Sequence, residues 1–438
     1  MTVQGIKYQT DEWTNVTPSI LSLLDKSHHL NENHPIGILR SLIENRFKDL
    51  GYTFHNQFKP VVTKYENFDS LGFPDDHPGR SKTDTYYINK DHLLRTHTSA
   101  HERECFMTTD TPGYFISADV YRRDEIDRTH YPAFHQMEGA RIWKRQEFGN
   151  NDQAALLKKL QQDIDEIPKL DSIIVEDPSL PFHEGNPKQE YMTDREVELV
   201  GIHLKRTLEV LVNEVFNEAK RSAAKNQGPS EAEGEEEGAE KNYLNEPLKV
   251  RWVEAYFPWT SPSWEIEVWW KGEWLECCGC GVVRQQVLTN SGIENTIGWA
   301  FGVGLDRIAM LLFGIPDIRL FWTKDERFHK QFKKGEISTF KPYSKYPGTT
   351  RDIAFWVPSI EEKIHINDFM EIVRNIAGDL IENVSLIDEF THPKTGRNSQ
   401  CYRINFQSMD RNLTNEEVNV LQQEIRQQIN HQFDVELR

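Results

Sequence analysis

Two stretches of the chain concentrate side chains that could handle a charged nucleotide. In Val120 to Gly139 (VYRRDEIDRTHYPAFHQMEG), Arg122 precedes a loop, after which Phe134, Gln136 and Glu138 alternate along a strand-like run. Alternate residues of a strand share a face, so these three side chains can line one pocket. In Gly302-Val303-Gly304-Leu305-Asp306-Arg307, Arg307 opens a helix behind two glycines that permit close backbone approach, which suits a phosphate tail at a helix N-terminus. Arginine presents a rigid fork of donors to phosphate oxygens, an aromatic ring can stack on a purine, and carboxylate or amide oxygens can receive an ammonium. Singly, Arg122 or Arg307 reads as a surface arginine. Together, the residue types describe an ATP-using enzyme that binds a small amine.

Several elements must position these groups. Pro35 to Leu50 places Ile36, Leu39, Ile43 and Phe47 on one helical stripe, with Pro35 suited to the first turn. A β-rich stretch runs to about residue 150 and a polar, mixed one to 200. A helix is expected from Val197 to Ala219, strands over 250–287 and a helix at 303–313. Residues 220–247 read as a solvated surface insertion, because low hydrophobicity and high charge cannot offset the entropy of ordering them. Beyond Lys341 the pattern resets to β-α-β-β-α-β, the ferredoxin-like unit, with His392 to Gly396 as its central hairpin loop. The expected division is an N-terminal extension (1–34), a catalytic domain (35–313), a linker (314–341) and a C-terminal domain (342–438). The class is α+β.

Composition bounds the partners. The chain has 438 residues, net charge -18 and 37% hydrophobic residues, with a pI near 5.4. Its acidity disfavours nucleic acid as a partner, so any RNA contact must use local basic patches. No apolar run of about 18 residues suggests a membrane span. Five cysteines do not make a disulfide framework. Met1 to Asn15 hold one lysine, two acids and no arginine, so no mitochondrial presequence is visible.

The two stretches resemble motifs 2 and 3 of class II aminoacyl-tRNA synthetases, and the helix at 35–50 with NFDSLGFPDDHPGR (67–80) resembles the motif 1 region. His97-Thr98-Ser99-Ala100-His101, Tyr256-Phe257-Pro258-Trp259-Thr260, Gly298-Trp299-Ala300-Phe301-Gly302 and PDIRLFW (316–322) resemble elements of phenylalanyl-tRNA synthetases of the single-chain mitochondrial type. The resemblance implies an antiparallel-sheet catalytic domain followed by an anticodon-binding domain. It implies ATP and Mg2+, the substrates phenylalanine and tRNA(Phe), a monomer, and the mitochondrial matrix. By matching positions, Arg122 binds the α-phosphate, Arg307 the γ-phosphate, and Phe134 stacks on adenine with Asp124 near its amino group. Thr129, His130 and Tyr131 lie near the nucleotide, and Glu276 lies near the substrates, where the resemblance implies a magnesium contact. His97, Ser99, Gln136 and Glu138 hold the ends of phenylalanine, and Ala100, His101, Glu102 and Met137 are expected to bind it with them. Phe257, Trp259, Ala300 and Phe301 wall its side chain. Arg351, Lys394, Arg397, Arg403 and Arg411 are the expected tRNA contacts. Glu102 and Trp259 depart from the family pattern, which usually has glutamine and phenylalanine there; Glu102 replaces a neutral amide with a possible charge.

Other readings are blander. Cys277, Cys278 and Cys280 lack a paired Cys-x-x-Cys framework and a fourth ligand, so they read as buried thiols rather than a zinc site. His135 alternates away from Phe134 and Gln136 and reads as packing. Two other functions stand beside the synthetase: a catalytically dead RNA-binding or regulatory relative, and a ligase with a non-tRNA acceptor. The intact Arg122, Phe134, Glu138 and Arg307 oppose the first, and the C-terminal unit opposes the second.

Overall fold

The computed structural model describes residues 1–149, 152–226, 246–342, 346–357 and 364–438. Helix α1 (Pro35–Phe47) begins with proline in its first turn, where the missing N–H costs nothing. It buries Ile36, Leu39, Ile43 and Phe47. The central sheet comprises β1 (Thr53–His55), β2 (Gly113–Tyr121), β3 (Ala133–Lys144), β4 (Ile173–Glu176), β5 (Leu248–Glu254), β6 (Thr260–Trp270), β7 (Glu273–Val283) and β8 (Thr296–Gly304). Their spatial order is β1-β2-β3-β8-β7-β6-β5-β4. The inner pairs are antiparallel, while β1 with β2 and β4 with β5 are parallel. Helices α2 (Glu102–Thr108), α3 (Gln153–Glu166), α4 (Asp194–Asn226) and α5 (Leu305–Phe313) complete this layer.

Register brings the distant motifs side by side. Glu138 of β3 lies opposite Gly302 of β8, which lies opposite Gly279 of β7, which faces Glu265 of β6. One row of the sheet therefore carries a carboxylate, two glycines and a second carboxylate. A Cβ built on Gly302 or Gly304 would meet nothing within 4 Å, so these glycines leave open space above the sheet. The β6–β7 pairing slips between Ile266 and Glu267, leaving Cys277 as the extra residue of a bulge. A bulge shifts the alternation by one position, and this one brings Glu276 to the same face as Gly279.

The C-terminal domain forms β9 (Thr349–Trp356), α6 (Ile366–Ala377), β10 (Ile381–Thr391), β11 (Asn398–Phe406), α7 (Asn415–Phe433) and β12 (Glu436–Leu437), with strand order β10-β11-β9-β12. This is the expected β-α-β-β-α-β order. Phe355, Phe369, Tyr402, Ile404, Ile425 and Ile429 fill its separate core.

Two boundaries differ from expectation. Residues 314–341 pack as part of the first core: Phe321, Trp322, Phe328, Phe332 and Phe340 are buried in it. Burial of these five aromatics makes 314–341 part of the first core, where the expected division had a linker. Residues 1–34 contribute Val3, Ile20 and Leu24 to the same core, and His34 bonds the Phe321 carbonyl oxygen. Helix α4 runs to Asn226, beyond the expected Ala219; Glu231 to Glu240 lie outside the described residues.

Candidate active site

Above the glycine row lies a cavity of about 460 Å³, lined at its nucleotide-suited end by Arg122, Phe134, Glu276, Gly302, Gly304 and Arg307. Arg122 Nε donates to the Thr96 carbonyl oxygen (2.8 Å), and its guanidinium lies 5.1 Å from the Phe134 ring centroid. This fixes the cation and leaves Phe134 able to stack a purine. Arg307 is exposed in the first turn of α5, whose cap is Gly304. The preceding Asp306 is buried and holds the His135 backbone N–H and ring, anchoring the helix start to β3. Glu276 is exposed at the cavity edge. Burial and then the charge of Glu276 push the Glu265 carboxyl above its ordinary value. Oxygen ligands of this kind, completed by phosphate oxygens, fit a divalent cation.

The opposite end is lined by His97, Thr98, Ser99, Gln136, Glu138, Phe257, Trp259, Ala300 and Phe301. Glu138 Oε2 accepts from the hydroxyls of Ser99 and Thr98. Gln136 Oε1 accepts from the Thr98 backbone N–H (3.2 Å). Burial pushes the Glu138 carboxyl up to about 7 even though both hydroxyls oppose the shift. The His97 ring nitrogens are buried without partners; burial, reinforced by Arg122, lowers its pKa to about 3, so the ring is neutral. His97, Phe73 and Trp259 form a three-ring cluster, with the His97 centroid 5.6 Å from each of the other two and those two 5.4 Å apart. Trp259 therefore belongs to an aromatic wall that includes Phe73, which sequence reasoning missed. A Cβ on Gly279 would fall 2.5 Å from Phe257 Cζ, so that glycine admits the Phe257 ring.

Thr98 and the three β7 cysteines also border the cavity. The cysteines are free and buried, with burial raising their pKa values. Strand alternation could have found Gly279 but not Cys277, which the bulge displaces.

Other expected site residues lie elsewhere. Ala100 packs in a small cluster with Phe68 and Leu93. His101 stacks on Phe58 at 4.2 Å and meets the Arg95 guanidinium. Met137 faces the core from the other side of β3. Glu102 is wholly buried behind the cavity. Asp124, Thr129, His130 and Tyr131 are not brought to the cavity, because the loop that carries them is held by the C-terminal domain and by its own acids. Arg374 donates to the Asp124 carbonyl oxygen, Tyr131 Oη donates to Asp379, and Asp127 holds both Thr129 and His130. The five expected tRNA-contacting cations are also dispersed. Arg403 pairs with Asp352, Arg411 with Glu417 and Arg397 with Glu436, while Arg351 bonds Asn419. Lys394 sits exposed on the hairpin loop. Arg351 and Arg403, one position apart in the β9–β11 register, point to opposite faces.

The family description "tRNA synthetases class II core domain (F)" matches residues 21–171 and 237–332, and "Ferredoxin-fold anticodon binding domain" matches 344–438. Joined to this sheet and cavity, those matches define a class II aminoacyl-tRNA synthetase. A mitochondrial phenylalanine–tRNA ligase of Saccharomyces cerevisiae is 58% identical, across 100% of this chain and 94% of that protein. One from Mus musculus is 40% identical across 97% and 86%. A phenylalanine–tRNA ligase alpha subunit of Klebsiella pneumoniae is 30% identical across 68% of each. The chain belongs to the mitochondrial phenylalanyl-tRNA synthetases.

Proposed function

We propose that the cavity joins phenylalanine to ATP with Mg2+ as the metal, and that the chain then transfers the amino acid to tRNA(Phe) as a monomer in the mitochondrial matrix. The reading is supported above all by the glycine trough, which has the carboxyl of Glu138 at one end and the fixed Arg122 with the exposed Arg307 at the other. The ammonium sits against Glu138, Gln136 and Ser99, and the neutral His97 donates to the carboxylate. The ring lies among Phe257, Trp259, Ala300 and Phe301, where aromatic edges meet it.

The substrate carboxylate oxygen forms a bond to the α-phosphorus while the bond to the departing pyrophosphate breaks. No general base is needed, because the nucleophile is already ionised. Arg122 stabilises charge on the α-phosphate and Arg307 holds the γ-phosphate, so the barrier falls through alignment and electrostatics. Glu276, with Glu265 beside it, would hold Mg2+, which would supply further neutralisation of the phosphates when bound. Adenine stacks on Phe134. Contacts from Asp124, Thr129, His130 and Tyr131 require the loop to exchange its bonds with the C-terminal domain. On that domain, Arg351, Lys394, Arg397, Arg403 and Arg411 contact tRNA, with the paired ones exchanging their acids for phosphates.

Phenylalanine-dependent ATP–pyrophosphate exchange and charging of tRNA(Phe) transcript test the reading. Arg307→Ala is expected to keep the fold, since the side chain is exposed, and to lose about 2–4 kcal/mol of transition-state stabilisation. Exchange within a few-fold of wild type would remove Arg307 from the phosphate role.

A further inference from the structure

Behind the amino-acid end of the cavity lies a buried pair of acids that the activation chemistry does not use as a pair. Glu102, on α2, is 0% exposed and neither of its carboxyl oxygens has a partner; Glu138 Oε1 and Tyr114 Oη are likewise buried without one. Among the described residues, neither carboxyl is ion-paired with a lysine, arginine or histidine. Two unneutralised carboxylates cannot both remain ionised in such surroundings, and the usual resolution is that one keeps a proton. Burial and then the charge of Glu138 push the Glu102 carboxyl well above its ordinary range, whereas the Ser99 and Thr98 hydroxyls hold Glu138 nearer neutrality, at about 7. The proton therefore belongs on Glu102. The other groups facing the pair do not supply a cation: Tyr114 from β2 and Cys105 from α2 are themselves pushed toward their neutral forms, first by burial and then by nearby acids. Glu104 is a further acid on α2, and the helix Gln285–Asn290 packed on α2 has no ionisable side chain. His97 is neutral, and His101 turns toward Arg95 and Phe58.

We propose that Glu102 is a positioning residue for amino-acid binding, which stays protonated, donates to Glu138 Oε1 and aims the ionised Glu138 at the substrate ammonium, so that phenylalanine binding is coupled to release of the Glu138 proton. The inference rests on the reading of Glu138 as the ammonium acceptor. The complex then holds one carboxylate against one ammonium and is electrically balanced without a third charge. Below about pH 7 the ligand-free Glu138 is itself protonated, and its proton must leave to solvent before the ammonium can bind. The KM for phenylalanine is therefore expected to rise as pH falls, approaching about tenfold per unit.

The test combines spectroscopy with kinetics. Infrared difference spectra between ligand-free wild type and Glu102→Gln, with carboxyl-labelled glutamate at about pH 8, are expected to show a protonated-carboxyl C=O band that the variant loses. Carboxylate bands in its place would overturn the proposal without any substrate being present. In pyrophosphate exchange, Glu102→Gln keeps a donor and is expected to hold the phenylalanine KM within about threefold, whereas Glu102→Leu, which has none, raises it about tenfold or more with kcat much less changed. If the glutamine variant loses as much as the leucine variant, Glu102 acts as an anion; if neither changes KM, it positions nothing. Calorimetry in buffers of different ionisation enthalpy is expected to detect about half a proton released per phenylalanine at about pH 7, and buffer-independent heat would remove the coupling. Glu138→Gln separates the two readings. If it leaves the phenylalanine KM unchanged, the ammonium assignment fails, while the infrared result still reports where the proton lies.

Discussion

Ala300 sits on β8 opposite Gly281 and Ala140, and it lines the amino-acid end of the cavity together with Phe257 and Trp259. An apolar wall of this kind excludes an added hydroxyl only modestly, by about 10² in a comparable case. Ala300→Gly is expected to open space at the ring's para position and to raise activation of tyrosine and para-halogenated phenylalanines relative to phenylalanine. Competitive pyrophosphate exchange measures this, and unchanged selectivity would locate the discrimination elsewhere. At this scale the alternation Phe134, Gln136, Glu138 was readable because a regular strand preserves its period. Glu276 was reachable only by resemblance, since its face depends on the bulge at Cys277. Whether Glu102 carried a charge could not be read at all, because ionisation depends on burial by residues remote in the chain.

The turn His28–Leu30 and the start of α1 hold a cluster of histidines against Trp322. His28 stacks on His34 at 4.4 Å and lies edge-on to Trp322 at 4.8 Å. Burial lowers the His28 pKa to about 3 and that of His29 to about 4, and holds His34 well below its ordinary value. A folded-state pKa below the unfolded one contributes stability that is complete above about 6.5 and is lost as pH falls toward the folded value. Urea-unfolding free energy is therefore expected to decline from about pH 6.5 downward. Glu138 acts in the opposite sense, since a carboxyl raised from 4.5 to about 7 favours the folded state as pH falls through that window. His28→Phe removes one titrating group whose Nε2 has no partner. It is expected to reduce the acid slope by up to about 1.4 kcal/mol per pH unit; an unchanged slope would show that His28 is not buried neutral. Helix α1 itself was legible from its apolar stripe. The histidine cluster was not, because its members come from residues 28–34, 135 and 329.

Across the whole molecule the two domains share structure. Ile126, from the loop between β2 and β3, is buried in the C-terminal core. Glu371 of α6 accepts from Tyr86 Oη (2.7 Å) and pairs with Arg374 (2.8 Å), while Arg123 reaches Asp368 (2.9 Å). Removing one member of a buried ionic group leaves its partner uncompensated and costs about 3–5 kcal/mol. Glu371→Leu is thus expected to lower the urea midpoint substantially, and a change under about 1 kcal/mol would mean that the interface is dispensable. Between α4 and β5, by contrast, replacing Glu231 to Glu240 with a short Gly/Ser segment is expected to leave pyrophosphate exchange within about twofold, since closure entropy changes slowly with loop length. A collapse in exchange would mean that the acidic run contacts the site.

The sequence by itself determined the two-domain order, the strand that carries Phe134, Gln136 and Glu138, the helix that starts near Arg307 and the ferredoxin-like pattern at the C-terminus. Each is a matter of local period, capping or turn chemistry, which neighbouring residues encode together. Only the tertiary structure decided that 314–341 belongs to the first core, that the bulge presents Glu276 to the cavity, that Asp124 to Tyr131 lie against the C-terminal domain, and that Glu102 and Glu138 form a buried pair. Those outcomes depend on register, burial and contacts between residues as far apart as 126 and 384, and such long-range pairings leave no periodic trace in the chain.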